Sequence, residues 1–349
     1  MRKFDYSFLK KDNLSSNLIN LTNYIHEIKE EEESKKILNP NLFKKLSSIA
    51  KVQSIKYSNA IEGIITTDKR IVELVNQKTE PLNHNEKEIA GYRDALNLIH
   101  NNYSKLSFNE EDILNIHNIM LSQTASLDKG HYKEADNAII EIDRDGNRRI
   151  RFRTVPAKDT KEAMNQLVLA YMDARQDSAI NQLLLIPCVI LDFLCIHPFT
   201  DGNGRMSRLL SLLLMYKNNY DVGKYISFEQ KINDKKDLYY EALRLASISW
   251  EEGKNDYSFY IKNFILTLYS CYLELEKRLA TVNIKKIKKE ERIKIVIMSS
   301  LLPISKKEIL EIVPDISAST VERVLSNLLK NNLIEKYGTF KNARYKRSK

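Results

Sequence analysis

The run His197-Pro198-Phe199-Thr200-Asp201-Gly202-Asn203-Gly204-Arg205-Met206-Ser207-Arg208 decides how this chain is read. A long apolar stretch, Leu183 to Ile196, enters it, and Leu209-Leu210-Ser211-Leu212-Leu213-Leu214 leaves it. The segment reads as a buried helix, a tight loop and a second buried helix opening beneath the loop. Gly202, Asn203 and Gly204 take positive φ at little cost, so their N–H groups can curl into an anion cradle. The next helix adds unpaired N–H groups and the positive end of its dipole. Arg205 and Arg208 stand three apart on one helix face, with forks that suit phosphate oxygens. Such a loop is built for a polyphosphate. A Gly-Asn-Gly turn can be simple punctuation, and a lone His before Pro is usually a surface histidine. That bland reading does not explain why all the roles arrive together at fixed spacing.

The run resembles the Fic family signature: His, any, Phe, any, Asp or Glu, Gly, Asn, any, Arg, any, any, Arg. Every specified position is met. The resemblance implies transfer of AMP from ATP to a hydroxyl side chain of a protein, the chain itself included, with Mg2+ as cofactor. By position it implies His197 as the base for the attacking hydroxyl and Asp201 as the magnesium ligand. Asn203 would help fix the α-phosphate, Gly202 and Gly204 would offer backbone donors, and Arg205 and Arg208 would hold the β- and γ-phosphates. The chemistry suits these parts. A neutral imidazole, with an ordinary pKa of about 6.5, can accept a hydroxyl proton at neutral pH. Nucleotidyl transfer needs alignment and charge stabilisation more than covalent help.

A second motif, Ser58-Asn59-Ala60-Ile61-Glu62-Gly63, fits the family's inhibitory pattern of Ser or Thr, three residues, Glu, then Gly or Asn. It ends an amphipathic stretch (about 41–63) whose apolar residues include Leu42, Leu46, Ile49 and Ile55 at near-helical spacing. Ser58 and Glu62 share a face one turn apart, and Gly63 is a natural helix stop. The resemblance implies that Glu62 pairs with Arg208 and removes the γ-phosphate clamp. The same glutamate could instead align a water that removes AMP from a modified protein; a surface Glu at a helix end is the plain alternative.

Ala138 to Asp143, then Arg144-Asp145-Gly146-Asn147, then Arg148 to Arg153 reads as a β-hairpin, because Asp-Gly is a strong turn signal. Its second arm alternates basic and apolar residues. Its position resembles the Fic flap, which implies that Ile139, Ile140, Glu141 and Ile142 pair with the backbone of a target protein. Upstream, Gly130-His131-Tyr132-Lys133 stands where the family often has Gly, any, aromatic, Arg, so Lys133 is a departure. Tyr239-Tyr240-Glu241-Ala242-Leu243 resembles the helix lining the adenine pocket, with Tyr240 and Leu243 on one face. Many relatives carry Asn seven residues after the second Tyr. Ser247 stands there in this chain, which leaves the choice of base open.

At 349 residues, 43% hydrophobic and 29% charged, the chain suits two or more globular pieces. Few Gly and Pro and long Leu/Ile/Lys/Glu stretches favour a mainly α fold. The formal charge of +9 is spread widely and speaks only weakly for nucleic acid. Cys188, Cys195 and Cys271, in apolar contexts without metal spacing, read as buried thiols in a reducing compartment. No apolar run is long enough for a membrane span, so the expected location is cytoplasmic. The expected organisation is an N-terminal helical region (1–125), a Fic catalytic core (126–280) and a C-terminal domain (281–349). Ser305 to Glu308 has capping-box spacing, a helix is expected from near Ser319 to Leu329, and Leu333–Lys336 and Ala343–Lys346 look like wing strands. This resembles a winged helix-turn-helix, with a basic wing (Lys336, Lys341, Arg344, Lys346) that makes DNA a candidate partner. A homodimer is a further candidate. Two competing functions stand beside transfer: a nucleotide-sensing transcriptional regulator, against which an intact His197 counts, and a hydrolase removing AMP through Glu62.

Overall fold

The computed structural model describes residues 2–10, 15–142, 148–283, 288–298, 300, 303–313, 316–338 and 343–348. Helices α1 (Ser16–Leu38) and α2 (Pro40–Ile61) meet at Asn39, where Pro40 disfavours continuation of the first and presets φ at the first position of the second. One face of α2, including Leu46, Ile55 and Ile61, is buried, as its spacing predicts. Next come α3 (Asp68–Val75), α4 (His84–Asn102) and α5 (Glu110–Met120). Asn83 and Asn109 cap α4 and α5 through their side-chain oxygens. Gly91 of α4 lies so close to α5 that a Cβ would sit 2.1 Å from the Met120 carbonyl oxygen.

Strands β1 (Ala138–Ile142) and β2 (Arg148–Arg153) form the expected antiparallel hairpin; its turn residues lie outside the described residues. After α6 (Ala157–Gln176) comes α7 (Gln182–Ile196), in which every residue but Gln182 and Leu194 is buried. A helix apolar all round belongs at the centre of a fold, and α6, α8 (Asn203–Lys217) and α11 (Ser258–Asn283) all pack on α7. The short α9 (Phe228–Asp234) and α10 (Lys236–Ala246) lie between α8 and α11 in the chain. Asp192 is the one acidic residue of α7, and its burial pushes its pKa up. It accepts hydrogen bonds from Tyr6 Oη at 2.8 Å, Trp250 Nε1 at 2.6 Å and Tyr257 Oη at 2.8 Å, with the Arg2 guanidinium 3.8 Å away. Those partners compensate a buried carboxylate and tie both the N-terminal stretch and the 250–257 segment to α7.

Buried apolar residues from Phe4 to Leu279 form one cluster, and those from Ile293 to Ile334 form a second. The second belongs to α12 (Lys289–Met298), α13 (Lys306–Ile312) and α14 (Ala318–Lys330) packed on a three-stranded sheet. That sheet has the order β3 (Ile304–Ser305), β5 (Arg344–Arg347), β4 (Ile334–Tyr337). The capping box is present, with Ser305 Oγ accepting from Glu308 N and Glu308 accepting from Ser305 N. The helix expected at Ile293–Leu302 starts four residues earlier, inside the basic run, and the turns at Pro314–Asp315 and Thr339–Phe340 lie outside the described residues. Lys341, expected in the basic wing, lies outside the described residues. The second unit touches the first where Lys346 Nζ lies 3.3 Å from Asp68 Oδ2, whose other oxygen holds Lys56 of α2 at 2.6 Å. The protein is mainly helical, and no helix among the described residues is long and apolar enough to cross a membrane.

Candidate active site

His197 ends α7 in the left-handed conformation (φ 54°, ψ 59°), its N–H donating to Phe193 O at 3.0 Å. A residue with a Cβ rarely holds that geometry, and Pro198 bars the helix from continuing. The ring Nδ1 lies 3.2 Å from Leu194 O. A carbonyl can only accept, so Nδ1 carries the proton and Nε2 keeps a free lone pair. Burial lowers the imidazole pKa to about 4, which keeps it neutral.

The loop beyond is held by its own side chains. Asn203 closes a ring with Phe199, accepting from its N–H at 3.0 Å and donating to its carbonyl at 2.7 Å. Gly202 takes φ +82° and donates to Asp201 Oδ1 at 2.6 Å. His117 of α5, absent from the sequence reading, braces the loop from below. Its ring stacks on Phe199 (centroids 3.7 Å apart, 11° between planes), and Nε2 lies 3.1 Å from Asp201 O. Gly130 N donates to its Nδ1 at 3.0 Å, so Nε2 carries the proton toward Asp201. Lys133 joins the ends of the β1–β2 hairpin to the end of α7: Nζ reaches Asn137 Oδ1 at 2.7 Å, Thr154 Oγ1 at 2.9 Å and Ile196 O at 3.3 Å. Burial lowers its pKa to about 8.

The two arginines of the signature have different surroundings. Arg205 is buried beneath the loop, ion-paired with Glu88 of α4 and with Asp201 Oδ2 at 3.1 Å. Arg208 is bound to the end of α2: Nε donates to Ser58 Oγ at 2.8 Å, and Nη2 to Ser58 O at 2.8 Å and Glu62 Oε1 at 2.9 Å. Glu62 caps α2, and Gly63 follows at φ +80°. The Glu62 carboxylate lies against the α-carbon of Gly204, where a Cβ would fall 2.2 Å from Oε1.

A cavity of about 390 Å3 opens here, large enough for a bound small molecule. His197, Gly204, Arg208 and Glu62 line it, together with Tyr240 and Leu243 of α10 and Ile139 and Ile140 of β1. Asn203 and Arg205 are buried, Asp201 is exposed, and none of the three, nor Gly202, is among the residues lining the cavity. Glu141 and Ile142 sit in β1, with side chains outside the described residues. Phe152, Leu191, Leu194 and Arg151 also line the cavity and are missing from the sequence reading; the first three read as ordinary core spacing.

The family model for the Fic/DOC family matches residues 107–215, which run from before α5 through most of α8. A Fido domain-containing protein of Dictyostelium discoideum is 30% identical over 115 residues, 32% of this chain and 76% of that one. A protein adenylyltransferase Fic of Nematostella vectensis is 26% identical over 202 residues, 56% of this chain, and the match spans less than half of that protein (43%). Among solved structures, a Fic family protein of Desulfovibrio desulfuricans matches 96% of this chain and 97% of its own, with a TM-score of 0.62 at 19% identity, a likeness of fold. The chain belongs to the Fic/DOC family.

Proposed function

We propose that this protein is a nucleotidyltransferase that moves AMP from ATP to a hydroxyl side chain of a protein, and that the end of α2 holds the reaction in check. The observation that carries the reading is His197, whose Nε2 lone pair is free on a cavity wall shared with Gly204 and Arg208 near the start of α8. In the reaction, the acceptor oxygen attacks the α-phosphorus, its proton passes to Nε2, and the bond to the β-phosphate oxygen breaks, releasing pyrophosphate. The first N–H groups of α8 and the Arg208 fork would take the charge of the polyphosphate. Asp201 fits Mg2+: it is a single exposed carboxylate beside the loop, the donor set of a cation that takes its remaining ligands from phosphate and water. Bound there, it would supply neutralisation of phosphate charge. In the family's inhibited arrangement a glutamate takes the arginine meant for the γ-phosphate, and the Glu62–Arg208 pair at 2.9 Å supports that role here.

Label transfer from ATP, with lysate protein and the chain itself as acceptors, tests this. Glu62→Gly is expected to raise transfer at least tenfold, and His197→Ala to abolish it in that background. Equal rates for wild type and Glu62→Gly would remove the brake; transfer surviving His197→Ala would remove the base.

We assign the C-terminal unit as a winged helix. Two cations of its wing are committed within the chain, Lys346 to Asp68 and Arg344 to Glu308. The first pair favours docking of the wing against its own catalytic unit over a phosphate backbone; the second lies within the C-terminal unit.

A further inference from the structure

The flap hairpin is not regular. Ile139 stands opposite Phe152 and Ile140 opposite Ile150, which leaves Arg151 without an opposite residue. This is a β-bulge, a device that bends a strand and re-aims a side chain. In an unbroken strand Arg151 and Phe152 would point to opposite faces, as the alternating sequence predicts. Here both line the same cavity. Nε of Arg151 is shut off from solvent and has no hydrogen-bond partner. With Nε closed to a ligand as it is to water, the part of the side chain that the cavity can meet is its terminal Nη pair, two donors in one plane.

The neighbours say which part of a ligand it would meet. The charge of Arg151 acts on Tyr240 and Glu241 of α10 and on Cys195 of α7. Leu191, Leu243 and Ser247 continue the wall there, whereas Gly204 and Arg208 form the polyphosphate end. Aromatic and aliphatic walls, Phe152 and Tyr240 with Leu191 and Leu243, together with a donor-only fork suit a heterocycle that offers two adjacent acceptors. Adenine presents one acceptor and one donor on that edge; guanine presents two acceptors, O6 and N7. Arginine has no acceptor of its own to meet an amino group.

We propose that Arg151 reads the base: its fork, turned into the cavity by the bulge, takes the O6/N7 edge of a 6-oxopurine, so that guanine nucleotides enter the site alongside adenine ones. The proposal rests on the nucleotide-transfer reading above and specifies the substrate within it.

Binding of ATP, GTP and ITP with Mg2+ to the full chain in its Glu62→Gly form, measured by calorimetry, tests it. ITP carries O6 and N7 without the guanine amino group. Arg151→Ala is expected to weaken GTP and ITP by about tenfold or more, with ATP moved less than about threefold. Arg151→Lys, a point charge without the fork, is expected to recover only part of the loss. A GTP-to-ATP ratio that is the same in all three forms overturns the assignment of Arg151 and leaves transfer standing. An equal loss for all three nucleotides overturns it too, because it marks damage to the flap. Failure of Glu62→Gly to bind any nucleotide removes the transfer reading together with this one.

Discussion

His197 illustrates how one backbone outlier sets up chemistry. Its left-handed conformation turns the ring away from α7 while the last free carbonyls of that helix remain in reach, and Leu194 O takes the Nδ1 proton. The pKa lowered to about 4 means that acidification through the ordinary histidine range leaves the His197 ring, the proposed base, unprotonated. The pH profile of kcat/KM for the Glu62→Gly form is therefore expected to be flat from pH 8 to near 5 and to fall only as pH approaches about 4. An inflection at the ordinary histidine pKa of about 6.5 would contradict this. Ser58 offers a graded test of the proposed brake. Ser58→Ala removes one of three bonds to Arg208 and keeps the backbone carbonyl and Glu62. The loss of about 1 kcal/mol of hold should raise label transfer roughly fivefold, short of the Glu62→Gly effect. These residues are legible in sequence because their chemistry depends on spacing along one chain. His117 and Glu88 are not. His117 contacts the loop and Glu88 contacts Arg205 of α8, each from another helix, and a lone His or Glu on an amphipathic helix gives no sign of what it faces.

Elements were readable where periodicity and caps agree. The helix bearing Glu62, the apolar pair around the signature and the Ser305 capping box all follow from such local signals. The bulge at Arg151 does not, because a strict alternation of basic and apolar residues gives no warning of an extra residue in one strand. Packing between α4 and α5 is equally silent: Gly91 looks like a helix weakness and is in fact the point of closest approach. Gly91→Ala is expected to push α5 away, costing about 1–3 kcal/mol and loosening the brace that His117 gives to the loop. A thermal midpoint unchanged from wild type would show that the two helices separate freely.

For the molecule as a whole, two clusters of buried residues meet through a few contacts, Ile312 and the Lys346–Asp68 pair among them. Calorimetry is expected to resolve two unfolding transitions, with the smaller heat belonging to the C-terminal unit. A single sharp transition would mean that the junction couples them. Because Arg344 and Lys346 are paired within the chain, the protein should bind random duplex DNA weakly at physiological salt in a mobility-shift assay.

Gly204 serves two masters that want the same emptiness. Its bare α-carbon lets the Glu62 carboxylate rest there, and in the proposed released form it would let a phosphate come equally close. Any methyl group that evicted the first tenant would evict the second. On the proposed reading, a lineage shedding the restraint must therefore mutate the glutamate or its helix, never the floor on which both stand.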